Sequence, residues 1–235
     1  MITELSDNLS SGPTDVARRI RNFVRNARLA PGDRLPTHQA LGQRLHIGPR
    51  RLREGLSILE QQGLIRTNRK AGTILAEPSV ETLTDPIRYH LDLLGHTFAH
   101  LVRARAGLEK AAAEDAARNR TARDLLAILD AIERMEDLTR QGRCDNRPDE
   151  DFHHAILGAT HNPVMLVFGQ LVAAQFRKKI HERLKLSIPR QVVGIREHRS
   201  ILRAVEQRDV PAAGTLMYQH VIYQLRVIKK GTASS

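Results

Sequence analysis

The sequence predicts a mainly α fold: short helices and one small β-hairpin in the first third, then an all-α bundle of six to seven helices. Three observations carry this expectation. Aromatic residues make up 3% of the 235 positions and Trp is absent, while Ala, Leu, Arg and Glu are frequent, which suits helices better than strands. Apolar residues recur along most of the chain at the three- and four-residue spacing of a helix face. Pro, Gly and Asn punctuate those stripes where a fresh helix would begin.

The first helix is predicted from "TDVARRIRNFVRNA", with Val16, Ile20, Phe23, Val24 and Ala27 as its stripe and Thr14 or Asp15 as cap. "PGDRLP" is turn chemistry, and Thr37 then caps a short helix over His38 to Leu45 built on Ala40, Leu41 and Leu45. After Gly48, Pro49 suits the first turn of a third helix, where its missing N–H costs nothing. Leu52, Leu56 and Leu59 are its buried stripe, Gly63 its stop, and Arg50, Arg51 and Arg53 occupy the other face. "LIRTNRKAGTIL" reads as two strands, Leu64 to Thr67 and Thr73 to Leu75, with Arg69 and Lys70 at the tip of the turn.

Two short helices, a tight turn, an Arg-rich helix and a basic hairpin form a winged helix-turn-helix. Its second helix enters the major groove of DNA by the N-terminal end, where cations reach phosphates and base edges. Charge agrees with this assignment. Residues 1–76 carry 13 Lys and Arg against 6 Asp and Glu, net +7 of the +11 total. A basic solvated face would explain the charge alone, but not the order of elements.

The run "LAPGDRLPTHQALGQRLHIGPRRLREGLSILEQQGLIRTNRKAGTIL" resembles the winged-helix domain of the GntR family of bacterial transcription regulators, through "PGDRLP", "LREGL" with "LEQQGLI", and the closing "AGT". The resemblance implies a DNA contact from the recognition helix at Arg53, with Arg50 and Arg51 beside it as further candidates. It implies others from the preceding helix and its approach at Arg34, Thr37 and Gln39, and from the wing at Arg69 and Lys70. Family members often have Arg where this chain has Gln39, and a Ser/Thr-Arg pair where it has Gly48 and Pro49. Those departures leave the base preference open.

"AEPSVETLTDP" reads as a linker, placing a DNA-binding domain at 1–76, the linker at 77–86, a helical domain at 87–230 and a disordered tail at 231–235. The bundle is expected to open with one helix from Ile87 to about Asn119, in whose apolar stripe Arg105 falls. Helices follow from Thr121 to Gln141, Asp149 to Thr160, Pro163 to Leu184, Gln191 to Arg208 and Pro211 to Lys230.

Three of these helices carry histidine on an apolar face. In "PDEDFHHAIL", Asp149 and His153 share the inward face with Phe152 and Ile156, whereas His154 is turned by roughly 100°. His198 lies among Ile195, Ile201, Leu202 and Val205, and His220 among Leu216, Met217 and Val221. Any one of them alone reads as a core histidine satisfied by a hydrogen bond. Three imidazoles and a carboxylate in one interior are costly without mutual compensation and suit a divalent transition metal, Zn²⁺ first with Ni²⁺ or Mn²⁺ as alternatives. His96 and His100 share a face with Arg103 and are set aside, and no further inward carboxylate stands out as a general base.

"RAGLEKAAAEDAA", "DEDFHHAILGATHNP", "EHRSILRAVEQRD" and "MYQH" resemble the all-helical FCD effector domain of FadR-like GntR regulators. The resemblance implies Asp149, His153, His198 and His220 as metal ligands, and Arg105 as a residue of an effector pocket that pairs with a carboxylate. The expected protein is therefore a ligand-responsive transcription regulator, a homodimeric repressor on a pseudo-palindromic operator, controlled by a small hydroxy or sugar acid at the metal. Two other readings are a metal-dependent hydrolase fused to a DNA-binding domain and a regulator with a purely structural metal. With one cysteine, Cys144, no secretory segment and no apolar run of spanning length, the expected compartment is the cytoplasm, with no membrane partner.

Overall fold

The structure, a computed structural model, describes residues 12–68, 72–77, 79–183 and 187–231. The chain separates into two compact units, Met1–Asp85 and Pro86–Ser235.

In the first unit, α1 (Pro13–Asn26) begins with Pro at its first position and Gly12 as N-cap. The expected cap at Thr14 or Asp15 is thus corrected. A proline without an N–H fits the first turn, so the helix starts earlier and Asp15 instead sits within that turn, where the helix dipole favours an anion. Thr37 caps α2 (His38–Leu45) as expected, its hydroxyl accepting from the Ala40 amide at 3.2 Å. His46 ends that helix in the left-handed region, and α3 (Pro49–Gln61) follows after two residues. Val16, Ile20, Leu41, Leu52, Leu56, Leu59 and Ile65 form the core. Gly55 is required where α1 crosses α3, because a Cβ there would overlap the side chain of Val16.

β1 (Ile65–Asn68) and β2 (Gly72–Leu75) pair antiparallel, Ile65 opposite Leu75. The "PGDRLP" turn docks on the free edge of β2: the Leu35 amide donates to Thr73 at 2.9 Å and the Leu75 amide to Asp33 at 2.9 Å. Arg34 is thereby bridged to Ile74 beside the wing. Arg69 and Lys70, expected at its tip, lie outside the described residues.

Among the described residues seven helices follow: α4 (Glu81–Leu93), α5 (Phe98–Asn119), α6 (Ala122–Arg140), α7 (Arg147–Gly158), α8 (Pro163–Arg183), α9 (Ile188–Glu206) and α10 (Val210–Gly231). Two expectations are corrected. The stretch read as a linker is helical from Glu81, with Pro86 inside the helix, where a missing N–H forfeits one backbone bond without ending the run. The single helix expected from Ile87 to Asn119 is two, because Gly95 turns the chain at φ +65° and Thr97 starts a new helix through a capping box with His100. The apolar stripe continues in register across this break and conceals it. Smaller shifts are that α9, capped by Ser187, starts three residues before the expected Gln191, and that α10 runs on to Gly231, with 232–235 outside the described residues.

The helix α5 is the hub, packing against α7, α8, α9 and α10. Its fully buried Ala112, Ala113, Ala116 and Ala117 let neighbouring backbones come close. Phe152, Ile156, Ile201, Val205, Met217 and Val221 complete the core and bring one face each of α7, α9 and α10 together.

Candidate metal centre

Those three faces carry the histidines. His198 is wholly buried, and His153 and His220 are 3% exposed. Their Nε2 atoms converge: 3.1 Å between His198 and His220, and 3.4 Å between His220 and His153. Half-buried Asp149, one turn before His153 on α7, adds Oδ1 at 3.4 Å from His198 Nε2 and Oδ2 at 3.8 Å from His153 Nε2. The structure thus brings together all four side chains singled out from the sequence, and the group could hold a metal ion. His154 faces out and contacts the Gln170 amide at 2.7 Å.

The outer nitrogens decide what the inner ones can do. Nδ1 of His220 is 2.7 Å from Oε2 of Glu197, and Nδ1 of His153 is 2.5 Å from Oε2 of Glu109, the second contact bent away from the ideal hydrogen-bond direction. A ring whose Nδ1–H is directed at a carboxylate keeps its Nε2 as a bare lone pair. A proton on His198 Nε2 could satisfy one neighbour, leaving the other lone pair facing a carboxylate. A divalent cation satisfies all four donors. The separations of 3.1–3.8 Å between neighbouring donors are those of adjacent ligands placed about 2.0–2.2 Å from one ion.

Electrostatics keep the rings in the state a metal needs. Burial depresses the His153 pKa, opposed by Glu109. Burial also holds His198 well below the ordinary histidine range, with repulsion from His220 and His153 adding to it. Burial would raise Glu109, but the Arg105 guanidinium and His153 outweigh it and bring the carboxyl down to about 2. Glu197, half-buried, is likewise lowered by His220 and Arg190 against the effect of burial.

Two features of this site were not foreseen: Glu109, 2% exposed, lies against His153, and Glu197 reaches His220 from α9. Glu109 was within reach of sequence reasoning, since it follows Arg105 by four residues on the same face. Glu197 was not, because it sits about 100° round the helix from His198. Arg105, expected to line an effector pocket, is 5% exposed and donates from Nε to Glu109 at 2.5 Å.

In the first unit, Arg34, Thr37, Gln39, Arg50 and Arg53 are exposed and Arg51 is half-buried. Arg50 pairs with Glu54 at 3.2 Å, and Arg53 donates weakly to the Pro49 carbonyl at 3.4 Å. Between α2 and α3 runs an open groove of about 750 Å³ lined by His38, Gln39, Gln43, Pro49 and Arg53. His38 Nε2 lies 3.1 Å from Thr73 Oγ1, tying α2 to the wing strand.

Among the described residues no helix is long and apolar enough to cross a membrane. Residues 14–75 match the family of bacterial regulatory proteins of the gntR type, and residues 100–222 match the FCD domain. The Uxu operon transcriptional regulator of Escherichia coli is 30% identical over 216 residues, covering 88% of this chain and 82% of its own. The HTH-type transcriptional regulator LutR of Bacillus subtilis is 27% identical over 203 residues, covering 85% of this chain and 93% of its own. The solved structure of a Streptococcus agalactiae GntR protein superposes with a TM-score of 0.76 at 20% identity, covering 92% of this chain and 99% of that one, which shows the shared fold. Regulators rather than enzymes surround this sequence, and the chain belongs to the GntR family as a DNA-binding transcription regulator with a C-terminal FCD domain.

Proposed function

We propose that the chain is a metal-dependent, acid-responsive repressor that acts as a homodimer on a pseudo-palindromic operator. Asp149, His153, His198 and His220 would hold a divalent ion, Zn²⁺ first, with Ni²⁺ or Mn²⁺ as alternatives. The observation that carries this is the convergence of three buried Nε2 atoms and one carboxylate within 4.8 Å, with two of the rings held from behind by glutamates. Neutral imidazole and carboxylate donors in that number suit a borderline-soft transition ion, and an acid would join them by expanding the shell beyond four ligands.

An ion in that position supplies a Lewis-acidic anchor for a carboxylate or hydroxyl of a small organic acid. Arg105 would add the charge complement from α5, and a hydroxy or sugar acid offers both kinds of oxygen. Operator recognition would fall to Arg50, Arg51 and Arg53 on α3, with Arg34, Thr37 and Gln39 beside it and Arg69 and Lys70 on the wing. The acid regulates only by favouring one arrangement of the paired DNA-binding units over another. The buried Glu109 does not favour an enzymatic reading, because it is occupied by Arg105 and His153.

The test is a panel of hydroxy and sugar acids added to Zn²⁺-loaded protein, read by melting temperature, by consumption of the acid and by gel shift on operator DNA. A metal-dependent rise in melting temperature without turnover, together with altered operator affinity, is the expected result. Stabilisation that persists after chelation, or consumption of the acid, would reject this reading.

A further inference from the structure

Glu109 and Glu197 stand in matching positions behind two of the three histidines. Each lies on a different helix from the histidine it contacts: Glu109 on α5 reaches His153 on α7, and Glu197 on α9 reaches His220 on α10. Each is also backed by an arginine. Arg105 Nε is 2.5 Å from Glu109, and both terminal nitrogens of Arg190 are 3.4 Å from Glu197 Oε2. Arg190 is itself seated over the Tyr223 ring at 4.7 Å. Two Arg–Glu–His chains therefore run inward to the same point. An adjacent guanidinium favours the ionised carboxylate, which can accept the ring N–H but cannot donate to it.

His198 differs. Its buried Nδ1, like that of His153, makes no hydrogen bond, but among the described residues no carboxylate faces it either, and its ring is stacked on Phe152 with centroids 3.8 Å apart and planes 15° apart. Packing sets its orientation.

We propose that Glu109 and Glu197 are positioning residues of the metal centre: each fixes its histidine as the Nδ1–H tautomer and aims the Nε2 lone pair at the ion, while His198, with no carboxylate behind its ring, is the weakest of the three nitrogen ligands. This rests on the metal reading above. The two carboxylates also tie α5 to α7 and α9 to α10 through ligand side chains, so occupancy of the centre and the mutual placement of four helices are linked.

Glu197→Ala is the decisive variant, since Glu197 is half-exposed; Glu109→Gln would also strand the buried charge of Arg105. Co²⁺ affinity, measured by competition with a fluorescent chelator, is expected to fall 10- to 100-fold in Glu197→Ala, the usual range for loss of such a partner. Glu197→Gln, which still accepts the ring proton without the charge, is expected to fall between that variant and wild type. Long-range ¹H–¹⁵N spectra of metal-free wild type at pH 7.5 are expected to show His153 and His220 as Nδ1–H tautomers. Glu197→Ala is expected to release His220 alone to a mixture. Wild-type uptake of Co²⁺ with Glu197→Ala within twofold of it, or His220 found as the Nε2–H tautomer, overturns this inference and leaves the metal reading standing. Wild-type protein that takes up no Co²⁺ overturns both.

Discussion

The two units of the chain place their polar side chains on opposite sides of their cores. In the winged helix the core of Val16, Ile20, Leu41, Leu52 and Leu59 is wholly apolar, and the arginines stand outside it on α3 and in the turn before α2. In the bundle Arg105, Glu109, His153, His198 and His220 are all buried among Phe152, Ile156, Ile201 and Met217. A polyanion as large as DNA must be met on a surface, whereas a small ion bound tightly must be stripped of water and met inside. The cost of burying five polar groups is offset by their pairing with one another, so the bundle depends on these contacts for stability in a way the winged helix does not.

Variants confined to one of the two sites have the largest expected effects. His198→Ala with His220→Ala removes two of four donors and is expected to abolish stoichiometric metal binding, measured by metal analysis after dialysis, while operator affinity in chelator-treated protein stays within twofold of wild type. Unchanged metal content would sink the assignment of the centre. The mirror variant is Arg53→Ala or Arg51→Ala. Each is expected to cost about 1–3 kcal/mol of operator binding, roughly 5- to 150-fold in a gel shift, with the melting curve and metal content unaltered. Wild-type affinity in either variant would remove that residue from the interface.

A change of pH should distinguish the units without mutation. His153 and His198 are held below their ordinary pKa chiefly by burial, so the unfolded chain takes up protons first, near pH 6.5. Their neutral burial thus leaves stability intact above about pH 6.5 and lowers it as pH falls, by up to about 1.4 kcal/mol per pH unit for each ring. Calorimetry of metal-free protein between pH 7.5 and 5 is expected to show this loss in the bundle transition. A bundle transition independent of pH over that range would contradict the buried neutral state. The smallest expected effect is in the winged helix: Thr37→Ala removes the cap of α2 and should cost about 1 kcal/mol of that unit's stability, leaving the bundle transition in place.

Much of the site was legible before any coordinates, for a simple reason. Asp149 and His153 are one helical turn apart beside Phe152 and Ile156, so helical period alone puts them on the buried face and turns His154 to solvent. The same period places His198 and His220 on inward faces of their own helices. It does not say that three faces meet at one point.

The sequence by itself determined the elements and what they hold: helices from apolar spacing and caps such as Thr37, a wing from two short strands, arginines on α3, and histidines inside the bundle. Local rules suffice there, because spacing, caps and turns act within a few residues. Only packing between helices brings Glu109 against His153 and Glu197 against His220. The two pairings determine tautomer and charge at the site. They depend on how α5, α7, α9 and α10 pack across the core, which no spacing along a single helix encodes.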